Sequence, residues 1–250
     1  MKKQLLASLL WACSLGLFAQ YQIHHYYNVP SSELGDFVQK ETTYWSKYHK
    51  NAIDKGYLSG WGMYQILGNS TAPSALGNLV FVKNYTSLSQ IANMMQMYSD
   101  PSLMEGMDAT AEEMANPDYS VGMYIVKAEA DIGTPGEVYV VNFGTPKDLS
   151  ASVEENKSLW QPLFEKAIAN NSGLTSWGVR TTIYPLGSNT HHTVMTYDGY
   201  ASLEHALKAL ENAYILEGID TTVLEKSQMS TIAPDGFSDI VIYQLLSMVN

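Results

Sequence analysis

The chain has 250 residues, 46% of them apolar and 11% aromatic, enough for one large or two small packed domains and too many for a disordered chain. Its 14 basic residues against 25 acidic ones leave a net charge of −11, which argues against a surface that tracks nucleic-acid phosphates, since that needs clustered Lys and Arg. A single cysteine, Cys13, rules out an internal disulfide.

The first residues read as an export signal. Lys2 and Lys3 precede an apolar run from Leu5 to Phe18, and Ala19 precedes Gln20: a basic start, a greasy segment too short to count as a membrane span, and a small-residue cleavage point. Residues 1-20 are therefore assigned to a signal peptide, with the mature chain expected in the periplasm or secreted from a Gram-negative bacterium. Cleavage would remove two lysines and Cys13, taking the charge from −11 to −13 and leaving no cysteine. A second reading takes Leu10-Trp11-Ala12-Cys13 as a lipobox, which would place a lipid anchor on Cys13.

Gln22 to Val29 alternate as a first strand, with Ile23, His25 and Tyr27 on one face and His24, Tyr26 and Asn28 on the other. Pro30 stops it, and Ser31 or Ser32 caps a helix from Glu33 to Lys55 lined by Leu34, Phe37, Tyr44, Tyr48 and Ala52. A second strand runs through Trp61, Gly62 and Tyr64, and a third from Leu79 to Val82. Ser87-Leu88-Ser89-Gln90 has capping-box spacing, predicting a second helix lined by Leu88, Ile91, Met95 and Tyr98. Asp100 to Asp118 reads as an irregular insertion, and Val121 to Ala130 as a fourth strand.

After a joint at Gly133-Thr134-Pro135-Gly136 the same order resumes: strand Val138 to Phe143, a helix lined by Leu149, Val153, Trp160, Phe164 and Ile168, strand Trp177 to Tyr184, strand Thr193 to Tyr197, a helix lined by Leu203, Ala206, Leu210 and Ala213, and a last strand Ile240 to Val249. At a constant offset of 116, Pro30 falls on Pro146, Tyr44 on Trp160, Tyr48 on Phe164 and Trp61-Gly62 on Trp177-Gly178. The chain thus divides into two βαββαβ repeats, 21-132 and 137-250.

This order, with its paired Pro, aromatic and Trp-Gly positions, resembles the dimeric α+β barrel superfamily, including ABM-like, EthD-like and NIPSNAP-like domains. The resemblance implies an α+β fold: two tandem ferredoxin-like repeats packed sheet-to-sheet as an intramolecular α+β barrel. It also implies a ligand cavity inside the barrel or between sheet and helices. Members of that superfamily include cofactor-free quinol monooxygenases, haem-degrading oxygenases and small-molecule binders, and the fold does not choose among them.

Taking Ile23, His25 and Tyr27, with Tyr139, Val141 and Phe143, as the helix-packed set leaves His24, Tyr26 and Asn28, with Val140 and Asn142, pointing inward beside Tyr64 and Arg180. The expected ligand-binding residues are Tyr64, Arg180, Trp61 and Trp177, with Arg180 as a carboxylate anchor; alternatively Arg180 is a solvent-facing strand residue. For an enzyme, His24 is the candidate base and Tyr26 or Asn142 its hydrogen-bond partner.

No cofactor is expected, although His49 on the first helix could serve as an axial haem ligand; as a residue off the apolar stripe it reads as a surface histidine. No metal is expected either. His24-His25 and His191-His192 each point to opposite faces of a strand, so neither pair chelates as a unit. Met94, Met95, Met97, Met104, Met107 and Met114 read as packing and a pliable lid rather than a copper site. The expected partner is a small apolar or aromatic molecule bound by an exported protein, with self-association open. The alternatives are a cofactor-independent monooxygenase acting on a phenol or quinol, or a haem-binding or haem-degrading protein.

Overall fold

A computed structural model describes residues 19–68, 76–170, 172–188, 190–211 and 222–250. The segment expected to be an export signal, Cys13 and the loop between the second and third strands lie wholly or largely outside them. Eight antiparallel strands form one closed barrel: β1 (Tyr21–Tyr27), β2 (Gly60–Leu67), β3 (Leu79–Tyr85), β4 (Ser120–Gly133), β5 (Val138–Gly144), β6 (Leu174–Tyr184), β7 (Val194–Tyr200) and β8 (Phe237–Val249). Around it they run β1-β3-β2-β8-β5-β7-β6-β4. Each half supplies four consecutive strands, and the halves join along β2–β8 and β4–β6. Closure removes the open edges that two isolated sheets would expose.

Helices cover the outside. Helix α1 comprises Leu34–Lys40, a π-helical turn Glu41–Trp45 and Ser46–Asp54. Its counterpart α5 comprises Leu149–Glu155, a π-turn Asn156–Trp160 and Gln161–Ala169. Between them come α2 (Leu88–Ala92), α3 (Met94–Ser99), a 3-10 turn Pro101–Met104 and α4 (Ala111–Met114); after them come α6 (Leu203–Glu211), α7 (Thr222–Lys226) and α8 (Met229–Ile232).

The first half departs from the predicted helix stripe because the second helix breaks at Asn93. Met97 is buried and Ile91 and Met94 pack on the core, whereas Leu88, Met95 and Tyr98 are exposed. The Ser87 cap forms, but Gln90 Oε1 accepts from Thr86 N at 2.7 Å rather than closing the box on Ser87. The insertion is ordered against α1. Tyr48 Oη donates to Met97 O at 2.9 Å, Trp45 Nε1 to Met114 O at 3.0 Å and Asn51 Nδ2 to Leu103 O at 2.9 Å.

The ladder registers correct the gapless alignment of the halves. Ile23 and Trp61 both pair with Lys83, and Val140 and Trp177 both pair with Asp198. First strands are therefore related by 117 residues and second strands by 116. The helices are related by 115, since the π-turns begin at Glu41 and Asn156. A one-residue slip along a strand exchanges its faces. Tyr139, Val141 and Phe143 accordingly point into the barrel, while Val140 packs under the helices and Asn142 shares that outer face, the reverse of the sequence assignment. In β1 the assignment holds: Ile23 lies under α1, and His24 and Tyr26 face inward.

The repeated Trp-Gly pair has a physical reason. Each Trp enters the helix-side core, and each Gly makes room inside the barrel. A Cβ on Gly62 would stand 2.9 Å from the Tyr64 ring, and one on Gly178 would stand 2.5 Å from the Tyr197 ring and 2.6 Å from Asp131 Oδ1.

Candidate functional site

Two cavities adjoin the sheet, and Trp61 borders both. The first, about 330 Å³, occupies the barrel interior and reaches the end marked by Ala19, Pro135 and Asn250. The second, about 390 Å³, lies between α1 and the sheet of the first half, with the end of the insertion as its far wall.

In the barrel, Arg180 is buried, not solvent-facing, and it is already paired. Its Nη1 lies 2.7 Å from Asp131 Oδ1, with both side chains at most 6% exposed, and the guanidinium sits 5.1 Å from the centre of the Tyr197 ring. Tyr197 Oη donates to the same Asp131 oxygen at 2.5 Å. A buried pair of this kind is costly to break because the abandoned charge stays in a low-dielectric site, so the charge of Arg180 is already matched within the protein. Its Nε donates to Gln22 Oε1 at 3.0 Å.

His24 Nε2 lies 3.1 Å from that same oxygen. Burial, with Arg180 and His192 nearby, lowers its pKa from 6.5 to about 3, so it is a poor base at neutral pH. Tyr26 Oη accepts from Tyr243 Oη at 3.0 Å. Asn142 is not with them: across the sheet, its Nδ2 donates to Thr196 Oγ1 at 3.1 Å. The three candidate catalytic residues are therefore split between two faces. Tyr64 lines the barrel cavity with Tyr139, Tyr197 and Tyr243, whereas Trp177 packs against Phe164 outside it.

The pocket under α1 joins Trp61, an expected ligand-binding residue, to side chains that the sequence reading gave no role in a site. Phe37, Trp45, Trp61 and Phe81 form aromatic walls, and Glu41, Lys83, His25 and Asn116 supply the polar groups. Glu41 is 9% exposed. Burial raises its carboxyl from 4.5 to about 7, against the opposing pull of the Asn116 Nδ2 hydrogen bond at 2.9 Å and of Lys83. Lys83 Nζ donates to Tyr98 Oη at 2.5 Å. His25 bridges Tyr27 Oη at 3.2 Å and Ser120 Oγ at 2.6 Å. Burial first, then Lys83, lowers its pKa to about 4. An aromatic chamber holding a carboxyl poised near neutrality is suited to binding a planar molecule and accepting a proton from it.

His49 is buried rather than on the surface. Its ring stacks on Trp61 at 5.0 Å and 11°, and its Nδ1 donates to Trp45 O at 2.8 Å. Nε2 is then the unprotonated nitrogen, the tautomer an axial haem ligand needs, and it has no partner among the described residues. Axial ligation would use the in-plane lone pair of Nε2, and that nitrogen has almost no accessible surface, so as packed there is no room in front of it for a haem macrocycle.

The offset of 116 places Glu41 opposite Lys157, but the structure does not bring them together. Glu41 is held by Asn116, Lys157 is exposed, and the positional counterpart of Glu41 is Asn156. Among the described residues no group of three or more His, Cys, Asp or Glu is placed to hold a metal, and no helix is long and apolar enough to cross a membrane. Met97 and Met114 are buried and Met94, Met104 and Met107 pack on the same core, while Met95, expected inside, is 68% exposed.

Of the residues missed, Lys83 carried a signal. It is a lysine in a mostly apolar strand, in phase with Phe81 and Tyr85. Asp131 carried none, because it meets Arg180 only across the β4–β6 seam.

Strand order, covering helices and interior cavity define the class: a dimeric-type α+β barrel, with both ferredoxin-like units in one chain. The solved structures it resembles share that fold. A candidate monooxygenase from Lactobacillus acidophilus superposes with a TM-score of 0.54 at 10% identity, over 93% of this chain and 96% of that one. A candidate monooxygenase from Fusobacterium nucleatum gives 0.48 at 9% identity, over 92% and 93%. A haem-binding protein from Thermus thermophilus gives 0.47 at 8%, over 92% of each. No protein-family model and no curated sequence relative matches the chain.

Proposed function

We propose that this chain binds a small apolar or aromatic molecule in the pocket between α1 and the sheet of its first half, with Glu41 as the group that receives its polar end. The observation that carries the reading is the placement of a buried carboxyl, its pKa raised to about 7, among Phe37, Trp45, Trp61 and Phe81, in a volume of about 390 Å³ that suits a fused-ring ligand. The test is native mass spectrometry of protein taken from its own cells, followed by titration of the recovered compound against the Trp fluorescence of the wild type and of Asn116→Trp, which puts a large ring into the pocket lining beside Glu41. Saturable binding lost in Asn116→Trp supports the reading. Binding unchanged by that variant overturns it.

A second reading, cofactor-independent oxygenation of a phenol or quinol, is favoured by the poise of Glu41 alone. Deprotonating an electron-rich ring in a water-poor pocket prepares it for attack on dioxygen. It predicts oxygen consumption with a panel of quinols that falls at least ten-fold in Glu41→Gln; a flat oxygen trace removes it. Export belongs to the same proposal. N-terminal sequencing of the native protein is expected to begin near Gln20, and an intact Lys2-Lys3 would count against export.

A further inference from the structure

A train of hydrogen bonds inside the barrel ends on a bare nitrogen. Arg180 can only donate, so the Gln22 atom 3.0 Å from its Nε must be the amide oxygen. The other amide group agrees, since Gln22 Nε2 donates to Asn84 Oδ1 at 2.9 Å. His24 Nε2, at 3.1 Å from that same Gln22 oxygen, must then carry the proton. The Asp131–Arg180 pair therefore sets the tautomer of His24, two hydrogen bonds away, and leaves Nδ1 as an unprotonated acceptor. Nδ1 is buried and has no partner among the described residues; its side chain is 3% exposed and lines the cavity, and because Nδ1 itself has almost no accessible surface, a guest reaches it by displacing a covering side chain. A buried acceptor left unmade is a standing cost that a donor would relieve.

We propose that the barrel interior is a second binding site, separate from the pocket under α1, for an uncharged planar molecule whose O–H or N–H group donates to Nδ1 of His24. The walls argue for planarity. The Tyr64 and Tyr139 rings meet edge to face at 5.7 Å, and those of Tyr139 and Tyr197 lie 5.8 Å apart at 69°, offering both ring faces and edges to an aromatic guest. The charge pair argues for neutrality. With Arg180 and Asp131 matched at 2.7 Å, an anion would meet Asp131 and a cation Arg180, and neither finds an unmatched countercharge. The imidazole accepts a hydrogen bond without taking the proton, because burial and the adjacent guanidinium disfavour its charged form. Arg180 and Gln22 are thus positioning residues for His24. The cavity of about 330 Å³ falls within the range of small-molecule sites.

The test uses the full chain in the Asn116→Trp background, which closes the other pocket, and three probes of one shape: 1-naphthol, 1-methoxynaphthalene and 1-naphthoate. Naphthol is expected to bind saturably and to shift the ¹⁵N resonance of His24 Nδ1. The methyl ether, which cannot donate, is expected to bind at least ten-fold more weakly, and the carboxylate weaker still. His24→Leu should erase the difference between naphthol and its ether. If that variant does not fold, the Nδ1 resonance of the unsubstituted histidine decides alone. Equal binding of naphthol and its ether, an unmoved Nδ1 resonance, tighter binding of naphthoate, or loss of all binding in the Asn116→Trp background would each overturn the proposal. This background isolates the barrel, so these outcomes leave the reading of the α1 pocket standing or falling by its own titration.

Discussion

The two helix–sheet layers share a scaffold and differ in what lies on it. In the first half the imidazole of His49 stacks on Trp61 at 5.0 Å and 11°; in the second the phenyl ring of Phe164 stacks on Trp177 at 5.0 Å and 13°. The π-turns begin at Glu41 in one helix and at Asn156 in the other, and Lys83 of β3 is answered by Asp198 of β7. The two halves share the geometry of the stacked pair and differ in its chemistry. The second layer is a packed core at this point, whereas the first keeps a polar-floored pocket.

The comparison is broken most directly at the tryptophans. Trp177→Ala removes a ring packed on every side and is expected to cost about 3–5 kcal/mol in urea denaturation. Trp61→Ala should cost distinctly less, because Trp61 already borders two cavities. Equal losses would mean that the first layer is as tightly packed as the second.

The next effect is pH dependence at Glu41. Its folded pKa is raised from 4.5 to about 7, so between those values the native state holds a proton that the unfolded chain has released, and stability from this group falls as pH rises through that window. Relative to wild type, Glu41→Gln should therefore gain stability from pH 4.5 to 7, by up to about 3 kcal/mol. Asp198 in the second half, raised by burial from 3.8 to about 7, should behave alike in Asp198→Asn. The comparison of the two acids is sharpened by ligand: a compound bound in the α1 pocket should alter the pH profile of Glu41 and leave that of Asp198 unchanged.

The smallest effect is expected from His49→Phe, which recreates the Phe–Trp pair of the second half. It removes a buried nitrogen without a partner among the described residues and should raise stability by about 1 kcal/mol in the same denaturation experiment. A loss instead would show that the imidazole–Trp45 hydrogen bond outweighs the orphaned nitrogen.

Much of the architecture was legible in the residues. Strand alternation, the Pro stops and the Trp-Gly pairs led to eight strands in two βαββαβ runs, because period and punctuation are local properties of a chain, and closure as a barrel was what the resemblance of that order implied. The phase of the second half was not legible. Alternation says that neighbours oppose each other, but which set faces inward depends on loop lengths that shift the repeat from 116 to 117 in the first strands and 115 in the helices.

The candidate sites divide the same way. The sequence singled out Arg180, His24 and Tyr64 as residues worth questioning, and all three line the barrel cavity. It could not show that Arg180 is neutralised, since Asp131 comes from the other half across a seam and Gln22 lies 158 residues away. Nor could it find Glu41 and His49 as buried groups. Their burial is produced by the insertion and by the Trp61 ring rather than by the helix that carries them. Composition and periodicity act along the chain and determined the elements, whereas desolvation and charge pairing act through space, so only the closed barrel decided which of its polar residues are bound, which are poised and which are left open.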